Sequence, residues 1–176
     1  MYKKPSILKP LIILVLTIGA IFYLVGLLNT GNPMWLLRSQ PTFTPSRVVI
    51  RDSGTVTTYE PGDITFDALS AALDSSFSAF TNANLVPVGL SDETLRSYDD
   101  GGLVVEVYYP APIQFNTPAR MDNIDQLLIP MRGRHAGNGY AFVGSDGLWL
   151  AGALVMRSDE ALRTVLRQLG YLGPEE

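Results

Sequence analysis

The only histidine, His135, lies in Arg132-Gly133-Arg134-His135-Ala136-Gly137-Asn138-Gly139. Two guanidinium groups, an imidazole and glycine-exposed backbone amides can hold an anion. A phosphate loop, however, joins a strand to a helix, and this stretch reads most simply as a connection between two antiparallel strands. Arg132, Arg134 and His135 are therefore kept as ligand candidates, with a surface hairpin loop as the plainer reading. A hydrolytic triad around His135 needs a serine on a sharp elbow. Gly-x-Ser-x-Gly does not occur, and Gly144-Ser145-Asp146-Gly147 reads as a turn.

Glu106 is the carboxylate most open to chemistry, because it interrupts Val104, Val105, Val107 and Tyr108 in an apolar run. If its sheet face is wet, it is an ordinary outward residue, the commoner case in antiparallel sheets. If that face is covered, Glu106 needs an arginine or hydrogen-bond donors. A glycosidase pair would need a second acid across from it, and no spacing in the chain places one. Zinc would have to rely on carboxylates, since cysteine is absent and histidine single. Asp122-Asn123-Ile124-Asp125 lacks the glycine and terminal glutamate of a calcium loop, and Asp99-Asp100-Gly101-Gly102 lacks its alternation. Both read as solvated turns. No cofactor is expected, and no catalytic motif is present.

Trp149 lies in Leu148–Met156, where Leu148, Leu150, Leu154 and Met156 share one face and Trp149, Ala151, Ala153 and Val155 the other. Two apolar faces fit a central strand, or a strand with one face given to a partner.

The elements that must carry these residues follow from periodicity. Arg47–Arg51 and Thr55–Tyr59 are β-branched runs around Asp52-Ser53-Gly54, the signature of a hairpin. Phe66, Leu69, Leu73, Phe77 and Phe80 recur at steps of three and four, one face of a helix capped by Asp63 or Thr65. Ser91-Asp92-Glu93 starts a shorter helix that carries Leu95 and Tyr98 inward and ends at Asp99–Gly102. Leu103–Tyr109 is a strand ended by Pro110 and Pro112. Ile124–Met131 is a strand that Pro130 pushes to a sheet edge or a strand end. Tyr140–Val143 and Leu148–Met156 flank the Ser145–Gly147 turn. Ser158 caps a last helix with Leu162, Val165, Leu166 and Leu169 inward, Arg163 and Arg167 toward solvent, and Gly170 closing it. The fold expected is α+β: a mainly antiparallel sheet with two or three helices packed on one face, preceded by one transmembrane helix.

That transmembrane helix is read from Leu11–Leu28, an uncharged run of eighteen residues, which as a helix covers about 27 Å of a hydrocarbon core about 30 Å thick. Pro10 suits a first helical turn. Tyr2 and Trp35 flank the run as interfacial anchors. Gly19 and Gly26 share a side of it, and Gly26 and Thr30 have the spacing of a packing face at its very edge, with glycine simply tolerated in lipid as the plainer reading. The run exceeds a cleaved signal core and no Ala-x-Ala follows it, so an uncleaved anchor is expected.

The chain of 176 residues has a net charge of -4 that is unevenly laid out. Lys3, Lys4 and Lys9 are its only lysines, and no acid precedes Asp52, whereas residues 39–176 carry nine arginines against seventeen acids, a net of -8. Basic flanks stay in the cytoplasm. The organisation expected is 1–9 cytoplasmic, 10–28 anchor in the cell membrane, 29–45 a Pro/Gly/Ser-rich tether, and 46–176 an extracytoplasmic domain. In that tether Met34–Leu37 lie at the membrane surface or dock on the domain. An acidic body argues against nucleic acid. The partners expected are the lipid bilayer through 10–28 and a membrane or envelope protein. The function expected is a non-catalytic interaction protein, an accessory or regulatory subunit. The alternatives are a tethered small-ligand sensor and an envelope hydrolase using Glu106 with aspartates.

Overall fold

The computed structural model describes residues 7–31, 33–36, 44–80, 86–115, 117, 121 and 123–173. Tyr2, Lys3, Lys4, Arg38 and Asp122 lie outside these residues.

Leu8–Thr30 forms α1, and its stretch Leu8–Asn29 is long and apolar enough to cross a membrane, with none of that stretch buried. It begins two residues before the expected segment, so Pro10 falls in the first turn, where no intrahelical N–H partner is lost.

The domain that follows is α+β. β1 (Arg47–Asp52) and β2 (Thr55–Tyr59) pair in the register Val48↔Tyr59 to Asp52↔Thr55. Their turn residues Ser53 and Gly54 take φ 49 and 82, the left-handed pair a two-residue hairpin needs. α2 (Ile64–Phe77) and α3 (Asp92–Gly101) follow, then β3 (Leu103–Ile113), β4 (Ile124–Arg132), β5 (Tyr140–Ser145), β6 (Leu148–Val155) and α4 (Glu160–Gln168). The strands form one sheet in the order β2-β1-β3-β4-β5-β6, every neighbouring pair antiparallel.

Both faces of the sheet are covered. On the first, Val48, Ile50, Val105, Val107, Leu127 and Ile129 pack with α2 (Phe66, Leu69, Leu73, Phe77) and α4 (Leu162, Leu166). On the second, Tyr98 of α3 packs with Val104, Leu128, Phe142 and Ala153, and Leu95 lies at the rim. The expectation of helices on one face thus holds for α2 and α4 and is corrected for α3. Two-sided burial also explains why β3 and β4 are apolar at consecutive positions rather than alternating.

Several boundaries differ from expectation for local reasons. β3 runs through Pro110 and Pro112 because its register slips between Tyr108↔Gln126 and Ile113↔Ile124. Within that irregularity no ladder N–H is required, and proline's fixed φ suits extended chain. β4 is central, not an edge. Its Pro130 is tolerated because pairing with β5 stops at Leu128. α2 ends at Phe77, and Phe80 leaves the helix to meet Phe77 and Phe115 at ring distances of 6.0 and 5.3 Å and to bridge Met156.

β6 is the last strand of the sheet rather than a central one. Its second half is flanked by residues 86–88, where Val86 and Ala153 exchange N–H···O bonds of 3.2 and 3.1 Å. In α4, Ser158 Oγ accepts from Glu160 N at 3.2 Å, while Arg163 and Arg167 pair with Asp159 and Glu160 instead of projecting freely. Leu169 is 37% exposed, and Leu172 takes the core place expected for it. The helix closes as a Schellman turn: Tyr171 N donates to Leu166 O and Gly170 N to Arg167 O.

Candidate functional site

The second face of the sheet carries the polar candidates. β1 and β3 pair Arg47↔Tyr108, Val49↔Glu106 and Arg51↔Val104. Side chains of one strand that are two apart share a face, so Arg47, Arg51, Glu106 and Tyr108 converge. Arg51 Nε donates to Glu106 Oε1 at 2.8 Å, and the Tyr108 hydroxyl donates to Oε2 at 2.8 Å. The Arg47 guanidinium stacks 4.1 Å above the Tyr108 ring, a cation–π contact.

Glu106 is 5% exposed, so its face is covered and it has the arginine that such burial demands. Burial, the hydrogen bond to Glu106 and the charge of Glu106 push the Tyr108 phenol up to about 12. It is therefore a hydrogen-bond donor throughout the physiological range. With each carboxylate oxygen held by a donor, this cluster neutralises and satisfies a buried charge.

Arg132 is tied into the fold rather than into an anion loop. It pairs with Asp52 at the end of β1, donates from Nη1 to the Tyr171 carbonyl at 3.1 Å, and from Nε to the Gly101 carbonyl at 3.5 Å. One guanidinium thereby joins β4 to the first hairpin, the end of α3 and the chain after α4. Arg134 is exposed, and its carbonyl accepts from the Tyr98 hydroxyl at 2.9 Å.

His135 adopts φ 67, and its ring lies 5.4 Å from Phe142 and 6.2 Å from Tyr140. The imidazole thus packs on the second face. Burial, then the Arg134 charge, holds its pKa below the usual value. Trp149 is half-buried against the same cluster, opposite Gly144. The neighbouring Gln126 is buried and donates to the Leu148 carbonyl at 3.2 Å. Gly144 permits this, since a Cβ there would meet Gln126 Nε2 at 2.5 Å and the Leu148 oxygen at 2.8 Å.

Glu106, His135 and Trp149 share a face but do not meet. Glu106 stands opposite Leu128, and Leu128 opposite Phe142, over which His135 lies. Two strand spacings, roughly 10 Å, and the apolar Leu128 separate carboxylate from imidazole. Among the described residues no group of three His, Asp or Glu side chains is placed to hold a metal ion. Asp125 takes the Asp146 N–H on both oxygens, at 3.2 and 3.1 Å.

Sequence reasoning missed Arg47, Arg51, Asp52 and Tyr108 as partners. The requirement for an arginine beside a covered Glu106 was legible, but its identity depends on a β1–β3 register set across 55 residues. Comparison with known protein families, curated protein sequences and solved structures finds no match to the chain.

The packing of His135 makes stability depend on pH. An unfolded imidazole titrates near the ordinary value, about 6.5. In the folded chain the pKa is lower, so below about 6.5 the unfolded state binds the proton first. Stability from this residue is full above that pH and falls with acidification until the folded pKa is passed. Urea titrations across that range should show the loss, and His135→Asn, which tolerates left-handed backbone, should flatten it. An unchanged pH slope in the variant would place the effect elsewhere.

Proposed function

We propose that the protein is a membrane-anchored, non-catalytic interaction protein. In this reading α1 holds it in the cell membrane with the N-terminus in the cytoplasm. The α+β domain lies outside as an accessory or regulatory subunit of a membrane or envelope complex. The observation that carries the reading is the free end of β6. Leu148 and Leu150 are 70% and 40% exposed, beside the half-buried Trp149. No strand lies against the outer edge of residues 148–151 among the described residues. Apolar side chains at an open sheet edge favour protein contact. The polar candidates add support in that Glu106 and Arg132 are committed to internal pairs. The clustering of Lys3, Lys4 and Lys9 before the span, against Arg38 alone in the ten residues after it, supports the orientation.

The chain has no cysteine, so a single introduced one is a unique label. In cells stripped of any outer barrier, Glu60→Cys should react with a membrane-impermeant maleimide, and Ser6→Cys only after lysis. The reverse pattern would overturn the topology. A cysteine-reactive crosslinker at Leu148→Cys should trap one discrete membrane protein that the same reagent at Asp67→Cys, on the exposed side of α2, does not. Identical products from both positions, or none from Leu148→Cys, would refute the interaction surface.

A further inference from the structure

α1 ends in a turn that brings the chain back onto the helix. Gly31 takes φ 66, and its N–H donates to the Leu27 carbonyl at 2.8 Å. Pro33, Met34, Trp35 and Leu36 then form a turn alongside α1. The Tyr23 hydroxyl donates to the Pro33 carbonyl at 3.0 Å. The Trp35 and Phe22 rings lie 5.3 Å apart at 59°. The indole sits on Gly26, where a built Cβ would overlap its Cε2 and Cζ2 atoms. Glycine at this position therefore serves a contact within the chain. Tyr23, Gly26 and Leu27 are half-buried by the returning chain, while Met34 and Leu36, on either side of the indole, are exposed.

We propose that Pro33–Leu36 is a hook seated in the outer interfacial zone of the lipid bilayer, with Trp35 locked on Gly26 and Met34 and Leu36 turned to lipid. The proposal rests on α1 crossing the membrane. Its first argument is depth. From Pro10, the first residue past the charged Lys9, to Gly26 a helix rises about 24 Å, against a hydrocarbon core about 30 Å thick. Trp35 at the level of Gly26 then falls in the outermost part of the bilayer, next to the boundary where an indole is most favourable. Its second is charge. No charged residue lies between Lys9 and Arg38, so nothing in the hook resists lipid. Its third is continuity, since the hook leaves the span at Gly31 and returns along it within five residues, at Leu36.

The test uses the full chain in phosphatidylcholine vesicles. Trp35 and Trp149 are its two tryptophans, so Trp149→Phe leaves Trp35 as the reporter. If that variant fails to fold, the difference between the native chain and Trp35→Phe isolates the same signal. Trp35 emission should be blue-shifted, and lipid brominated near the headgroup should remove about half of it, more than lipid brominated near the chain end, as an interfacial indole requires. Gly26→Leu should shift the emission to the red and reduce that quenching by about half or more, since the seat is lost. A chain that resists carbonate extraction while Trp35 escapes both lipids would overturn the hook and leave the span intact. The indole would then be covered by the outer domain or by another protein. Quenching unaltered by Gly26→Leu would overturn the seat. Release of the chain by carbonate would overturn the span, and the hook with it.

Discussion

A soluble form of residues 45–176 should unfold in one cooperative transition, and the same form ending before Ser158 should show none. α4 and the turn after it place Leu162, Leu166 and Leu172 in the first-face core, at 0%, 0% and 6% exposure. Full burial of each contributes roughly 1.5–3 kcal/mol. Their combined loss, about 5–9 kcal/mol, rivals the whole stability of a domain, about 5–15 kcal/mol. Truncation also removes the Tyr59–Tyr171 hydroxyl contact at 3.0 Å and the Tyr171 carbonyl that Arg132 holds. It also strips α2 of its neighbouring helix in the core that Leu69 and Leu73 share with Leu162 and Leu166. Thermal and urea melts followed by circular dichroism read the outcome. An equally sharp transition in the shorter form would make α4 an appendage, and Leu166→Ala would then cost far less than the 2–5 kcal/mol typical of a buried leucine.

Arg51→Met should destabilise the domain by about 2 kcal/mol. Removing one partner of a buried ion pair costs roughly 3–5 kcal/mol, and the value is discounted here because the Arg51 side chain is 38% exposed and that of Glu106 only 7%. The cost arises on the glutamate, which keeps its burial and the Tyr108 hydrogen bond but loses its counter-charge. Glu106→Gln should cost about 1 kcal/mol, since a neutral amide oxygen still accepts from Tyr108 while Arg51 reaches water. In the double variant the two losses should not add, with a coupling of about 1 kcal/mol. Urea midpoints at constant slope measure this. A loss below about 0.5 kcal/mol for Arg51→Met would mean that water already solvates Glu106.

The parts of the molecule legible in its sequence are those decided by a few consecutive residues. The apolar run made α1, and Asp52-Ser53-Gly54 made the first hairpin with two left-handed residues. Ser91 accepts from Thr94 N as the cap of α3, and Gly170 closes α4. In each case the signal is a backbone preference or a hydrophobic period, complete within one or two turns of chain.

Tertiary structure decided the rest. Glu106 looked the same whether its face was wet or covered. Only the packing of the second face buried it, and only the β1–β3 register brought Arg51 to it from 55 positions away. The same holds for α3, whose inward Tyr98 was evident but whose side of the sheet was not. It holds for Arg132, which in sequence read as part of a surface hairpin loop or an anion site, while its side chain joins Asp52, Gly101 and Tyr171. Trp35 finds Gly26 only after the chain reverses at Gly31. Local sequence sets which dihedrals a segment prefers and which of its residues avoid water. Which surface covers those residues, and which charge meets which, depends on distances between segments far apart along the chain, and these exist only once the sheet has closed.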